Sequence, residues 1–175
     1  MKKLSMEELQ RKSIEEFKIS EKIPLIIILD NVRSLLNVGS VFRTADAFSV
    51  EAIFLCGITG TPPNKEIQKT ALGATDSVNW EYFKTTEDAV QLLKERGFGV
   101  YGIEQVENSI NLKDFKIEQN RKLAIVFGNE VSGVSSEVLA LCNGVIEIPQ
   151  TGTKHSLNVS VSAGILVWEI FRQLS

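Results

Sequence analysis

The chain has 175 residues, 43% of them hydrophobic and 23% charged, with a formal net charge of −3. That is enough chain for one domain with a substantial core, and it leaves no overall basic field, so a nucleic-acid partner would have to be met by a local patch or with the help of a second copy. No apolar run approaches the roughly 18–20 residues of a membrane span, the Lys- and Glu-rich N-terminus has no apolar core of a secretory signal, and Cys56 and Cys142 are unclustered and sit among apolar residues, which points to a reducing, cytoplasmic setting and to core packing rather than a disulfide or zinc site.

Residues 4–19 place Leu4, Leu9, Ile14 and Phe17 among charges at roughly helical spacing and predict a surface helix. It either packs on its own domain or acts as an arm that helps hold substrate. We set residues 1–22 apart as an N-terminal helical extension and treat 23–175 as the main domain. Pro24 opens a continuous apolar run, Leu25 to Leu29, of strand length and expected to be buried on both faces, the mark of a parallel sheet covered by helices. A helix is predicted from about Val38 to Phe48, a strand over 52–55, and a long loop from Gly57 to Asn64 with Pro62 and Pro63. A short helix follows from Lys65 to Leu72, and 76–80 read as a strand entry. Thr86 to Arg96 form an amphipathic helix with Thr85 or Thr86 as N-cap and Gly97 as its stop. Strands follow at 100–103 and 123–127, with a polar, irregular stretch between them. Ser135 or Ser136 caps a short helix to Leu141. Val145 to Ile148 are the last strand, and Leu157 to Leu174 the last helix. Alternation of strands and helices over the whole length makes an α/β domain with a mostly parallel sheet flanked by helices.

In such sheets ligands sit beyond the carboxyl ends of the strands. Asn31, Glu104, Gly128 and Pro149 each fall just after a predicted strand. The last of these opens a polar loop that runs into a helix, and Ser156, Asn158 and Ser160 there carry short side chains able to donate or accept. Gly97, Gly99 and Gly102 match a dinucleotide-binding glycine pattern. They end a helix and enter a strand, the reverse of what a phosphate loop needs. No Gly-Lys-Ser/Thr occurs, so there is no Walker A loop. His155 is the single histidine, which removes any multi-histidine metal cluster. Arg43 lies one to two turns into the helix after the first strand. Phe42, Ala45 and Ala47 around it mark a crowded helix, so its guanidinium is expected to point at something acidic or anionic. Gly128 permits close backbone approach to a ligand, and Glu130 could hold a hydroxyl or orient Asn37 or Arg43.

Three stretches in order carry a family resemblance: Asn37-x-Gly39-x-x-x-Arg43, then Phe127-Gly-Asn-Glu130-x-x-Gly133, then Ile148-Pro149 followed by Ser156-Leu157-Asn158-Val159-Ser160. Together, over roughly residues 23–175, they resemble the SpoU (TrmH-like) RNA ribose 2′-O-methyltransferases of the SPOUT superfamily. The intervening Lys69-Thr-Ala-Leu-Gly-Ala74 is also similar to this group. The resemblance implies a deep trefoil knot near the C-terminus, S-adenosylmethionine held in it, no metal, no membrane, and an obligate homodimer. It implies a cofactor pocket of Ile103, Gly128, Ile148, Ser156 and Leu157. Arg43 is the implied catalytic arginine, with Asn37, Glu130, Ser156 and Asn158 around it. A free arginine is a poor base, since its pKa exceeds about 12; binding the neighbouring phosphate and stabilising a developing alkoxide suits it better. The implied activity is methyl transfer to a ribose 2′-OH of RNA, tRNA first and rRNA as the alternative. A knotted RNA-binding protein without catalysis is the rival of a different class. Arg33, Lys65, Lys69, Lys154 and His155 are the candidates for a local RNA-binding patch.

Overall fold

The Leu25–Leu29 run lies at the heart of a seven-stranded sheet in the computed structural model, which describes every residue except 6, 7, 10, 119, 120, 154 and 175. Strands β1 (Ile23–Asp30), β2 (Val50–Cys56), β3 (Asn79–Phe83), β4 (Gly99–Ile103), β5 (Ile110–Asn111), β6 (Leu123–Phe127) and β7 (Gly144–Glu147) lie in the order β3-β2-β1-β6-β4-β7-β5. Every pairing between them is parallel. β1 therefore has a neighbour on each side, with Leu29 opposite both Leu55 and Phe127.

Period-two alternation sends the central strands' side chains into two cores. Leu25, Ile27 and Leu29 of β1 join Leu123, Ile125 and Phe127 of β6 on one face. That face is covered by α2 (Leu35–Ala47), through Val38, Val41, Phe42 and Ala45, and by α7 (Val159–Leu174), through Ala163, Leu166, Val167 and Ile170. Ile26, Ile28, Ala124 and Val126 point the other way, onto Ala89, Val90 and Leu93 of α5 (Thr86–Glu95) and Val138 of α6 (Ser136–Leu141). Burying each such aliphatic side chain contributes on the order of 1.5–3 kcal/mol, so the helix-sheet-helix sandwich follows from the apolar runs themselves. Cys56 is buried in the second core and Cys142 packs against it, and burial pushes their thiols up to about 12 and about 11. Among the described residues no helix is long and apolar enough to cross a membrane.

Caps set the helix ends. Thr85 and Ser135 each accept a backbone N–H in the first turn of α5 and α6; Ser34, not a cap candidate in the sequence, does the same for α2, which begins at Leu35, three residues before the expected Val38. Gly97, at φ +82°, ends α5 before β4 begins, so the glycine triplet is a helix stop and strand entry.

The N-terminal helix is shorter than expected. Part of 4–19 lies outside the described residues, and the helix there is α1 (Ile14–Ile19). Ser13 starts it with a capping box, accepting from Glu16 N while Glu16 accepts from Ser13 N. Among the described apolar residues of 4–19 Phe17 alone is buried, while Leu4, Leu9, Ile14 and Ile19 are exposed, so no described side chain outside α1 holds a longer helix to the domain. The stretch 76–80 is not one strand entry. After α3 (Lys65–Ala71), left-handed Leu72 and Gly73 restart the chain as α4 (Ala74–Ser77), and β3 follows as an exposed edge strand. The irregular 104–120 stretch contains the two-residue β5, and α7 begins two residues later than expected, at Val159.

Candidate active site

The carboxyl ends of β4, β6 and β7 open onto one cavity of about 530 Å³. All five residues expected at the cofactor, Ile103, Gly128, Ile148, Ser156 and Leu157, line it. They arrive from four segments. Ile103 ends β4, Gly128 follows β6, Ile148 follows β7, and Ser156 and Leu157 belong to the loop before α7.

Gly128 turns the chain off β6 into a narrow loop closed by Asn129 and Gly133, whose backbones exchange hydrogen bonds at 3.0 and 2.9 Å. A Cβ on Gly128 would overlap the backbone of Gly133 and Val134. Gly133 sits at φ +68°, and a Cβ there would run into the Glu104 carboxylate. Asn129 braces the loop from inside. Its Oδ1 accepts from Val131 N (2.9 Å) and Ser132 N (3.2 Å), and its Nδ2 donates to the Asn31 carbonyl at 2.8 Å. Asn31 in turn donates to buried Asp30 at 2.8 Å, which also accepts from Thr86 Oγ1 at 2.5 Å.

The loop presents Glu130 to the chain entering α2. Its carboxylate accepts from Arg33 N (2.9 Å), Ser34 N (3.0 Å) and Asn37 Nδ2 (3.1 Å). Partial desolvation works to raise this carboxyl's pKa, but the backbone donors and Asn37 together outweigh it and hold the group below its ordinary value. Asn37 Oδ1 accepts from Asn158 Nδ2 at 3.1 Å. Asn158 Oδ1 then accepts from Ser160 N (2.9 Å) and Ser160 Oγ (2.7 Å), capping α7. One hydrogen-bonded chain, Glu130–Asn37–Asn158, thus ties the segment around Asn37 to two others 93 and 121 residues away in sequence. Gln105 Nε2 donates to the His155 carbonyl at 3.2 Å and joins the β4 rim to the loop before α7.

Arg43 stands apart from this group. Six residues along α2 from Asn37 amount to about 9 Å of rise and a side chain about 120° round the axis. It is exposed, lines a second cavity of about 600 Å³, and has no ion-pair or hydrogen-bond partner among the described residues. Among the described lining residues of that cavity the acidic neighbour is Asp46, whose carboxylate accepts from Ser77 Oγ at 2.6 Å. Of the candidate patch residues, His155 lines the first cavity and Lys69 is paired with Glu66 at 2.7 Å. Arg33 and Lys65 are exposed, and Lys154 lies outside the described residues. Glu104, Gln105 and Asn129 are lining residues to which the sequence alone assigned no role. The available signal was Glu104's place directly after a strand.

The SpoU rRNA Methylase family model matches residues 24–168. A tRNA (guanosine(18)-2′-O)-methyltransferase of Thermus thermophilus is 36% identical over 170 residues, covering 95% of this chain and 84% of that protein. The fold is similar to an AdoMet-bound rRNA methyltransferase from Sinorhizobium meliloti, with a TM-score of 0.81 and 26% identity over 89% of this chain. This chain spans 58% of the length of that structure. It is also similar to a TrmH/SpoU tRNA modifying enzyme from A. aeolicus, with a TM-score of 0.79 and 29% identity over 91% of this chain and 79% of that one.

Proposed function

The chain belongs to the SpoU rRNA methylase family, and on that premise we propose that it transfers a methyl group from S-adenosylmethionine to a ribose 2′-OH of RNA, with tRNA as substrate and rRNA as the alternative. The observation that carries the reading is the Glu130–Asn37–Asn158 chain standing beside a cavity of ligand size. The cavity suits the cofactor. Ile103, Ile148 and Leu157 offer apolar surface to a flat purine. Glu104 and Glu130 are carboxylates, and no Lys or Arg is among the described lining residues, which favours a ligand bearing a sulfonium and an ammonium. Bound there, S-adenosylmethionine supplies a methyl group already activated by positive sulfur.

What remains for the protein is alignment of the 2′-OH and help with its proton. Glu130 is held ionised and fixes Asn37, and Asn37 fixes Asn158, so the amides at the cavity mouth are set before RNA arrives. Ser156, on the cavity wall, is placed to hydrogen-bond the cofactor or the incoming ribose. Arg43 binds the phosphate beside the target ribose and stabilises the developing alkoxide. It does not line the cavity of its own chain, so we assign it to the cavity of a partner copy in a homodimer. Support for the homodimer comes from α7, where Val161, Ile165 and Trp168 form an exposed apolar stripe at helical spacing. The same reading includes a trefoil knot formed by the chain around β6, β7 and α7, residues 23–175 as the methyltransferase domain, and a cytoplasmic setting. The T. thermophilus relative, a tRNA enzyme by name, supports tRNA over rRNA.

The test is incubation with tritiated S-adenosylmethionine and unmodified tRNA and rRNA pools, then digestion and nucleoside analysis. Label in a 2′-O-methylnucleoside from tRNA is the expected result. Label confined to rRNA moves the substrate to the alternative. Absence of cofactor binding by calorimetry overturns the assignment.

A further inference from the structure

The two cavities at the ends of α2 have opposite charge. The first holds two carboxylates and no Lys or Arg among its described lining. The second holds Arg11, Lys12 and Arg43 against a single carboxylate, Asp46, among its described lining residues. None of these three cations has an ion-pair or hydrogen-bond partner among the described residues. Other long cations do, including Lys69, Arg121 and Arg172, each bonded to a glutamate within 3.0 Å. Asp46, which also accepts from Ser77 Oγ, offsets one of the three charges, and Glu16 of α1 is turned to its capping box. Lys22 registers the same crowding. Desolvation is the main cause of its lowered pKa and repulsion from Lys12 is the next, with attraction to Asp46 working the other way. In a chain of net charge −3, unpaired cations gathered around one concavity of about 600 Å³ are a local anion site.

We propose that this second cavity is a clamp for the phosphodiester backbone of the RNA, with Arg11 and Lys12 of the N-terminal segment gripping phosphates next to the one held by Arg43. The inference rests on the function proposed above and adds to it a role for the N-terminal segment. The Ser13 capping box starts α1 directly after the two cations, and buried Phe17 anchors that helix to the domain, so Arg11 and Lys12 are held at the cavity wall. Arg11 suits a bidentate phosphate contact and Lys12 a point-charge contact. Such contacts set position and affinity and do not read sequence.

The experiment measures binding of an unmodified tRNA transcript by fluorescence anisotropy as salt is varied, for wild type, for Arg11→Ala/Lys12→Ala, and for a control pair, Lys84→Ala/Arg96→Ala, on exposed positions outside both cavities. The clamp variant is expected to bind about ten-fold more weakly, with a slope of log affinity against log salt shallower by about 1.5–2. Its cofactor affinity and melting temperature stay at the wild-type values, and the control pair keeps the wild-type slope. An unchanged slope, or an equal change in the control pair, overturns the clamp. RNA binding is read without turnover, so the two proposals fail separately. A wild-type protein that shows the clamp's salt slope but labels no RNA loses the proposed activity and keeps the clamp. One that methylates RNA with Arg11 and Lys12 indifferent loses only the clamp.

Discussion

Glu130→Gln removes one charge from the centre of the Glu130–Asn37–Asn158 chain. One carboxylate oxygen accepts from Arg33 N and the other from both Ser34 N and Asn37 Nδ2. A glutamine has one acceptor oxygen. If it takes the two-donor side, its NH₂ faces the Arg33 N–H, so one hydrogen bond is lost and two lose their charge assistance. Hydrogen bonds to charged groups contribute about 1.5–3 kcal/mol and neutral ones about 0.5–1.5 kcal/mol. Glu130 is exposed, and water can replace part of the loss, so the discounted cost is about 1–2 kcal/mol. For a domain of this size that lowers Tm by about 2–8 °C. The pH dependence has a definite sign. The folded-state pKa is lowered, so the stabilisation is fully present above the unfolded value of about 4.3 and is lost as pH falls through the folded value. The gap in Tm between wild type and variant is therefore full at pH 7 and closes as the pH is brought well below about 4. Loosening of Asn37 and Asn158 lowers kcat/KM by about 100-fold. Thermal melts by circular dichroism across this range are the assay. Equal Tm values at pH 7, or a gap that persists unchanged in acid, refute the reasoning.

Gly128→Ala forces the Asn129–Gly133 loop away from β6, and calorimetry should show cofactor affinity at least ten-fold weaker. Thr86→Val leaves the buried Asp30 carboxylate with Asn31 as its remaining side-chain donor, at a cost of about 2–3 kcal/mol. A Tm drop of about 4–12 °C checks it. Trp168→Glu puts a charge into the exposed apolar stripe of α7, and sedimentation velocity should report a dimer for the wild type and a monomer for the variant. Arg43→Ala should keep wild-type cofactor affinity and lose methylation. Mixed with Gly128→Ala chains, it should recover about a quarter of wild-type activity, since half of randomly assorted dimers then carry one intact site of two. No recovery in stable mixed dimers would return Arg43 to its own chain's site.

The five residues that the family resemblance implies for the cofactor share one cavity, since strand ends in a parallel sheet share one rim. The partner of Glu130 was legible only as a choice between Asn37 and Arg43, and α2 decided it. The turn between their positions points Asn37 at Glu130 and sends Arg43 to the second cavity. The N-terminal helix was over-read because spacing among charges resembles an amphipathic face whether or not a surface exists to receive it. The β3 edge was under-read because an exposed edge strand such as Asn79–Phe83 has no continuous apolar run.

The sequence by itself determined the α/β sandwich. Apolar runs of strand length must be buried on both faces, and capped amphipathic stretches must cover them. It also marked the three stretches that meet at the rim. The tertiary structure alone decided that those stretches share hydrogen bonds across more than 90 residues, that one end of α2 serves an acidic cavity and the other a basic one, and that the helix before β1 shrinks to six residues. These depend on which side chains the packing of distant segments brings within reach of each other, a long-range property that local periodicity does not encode.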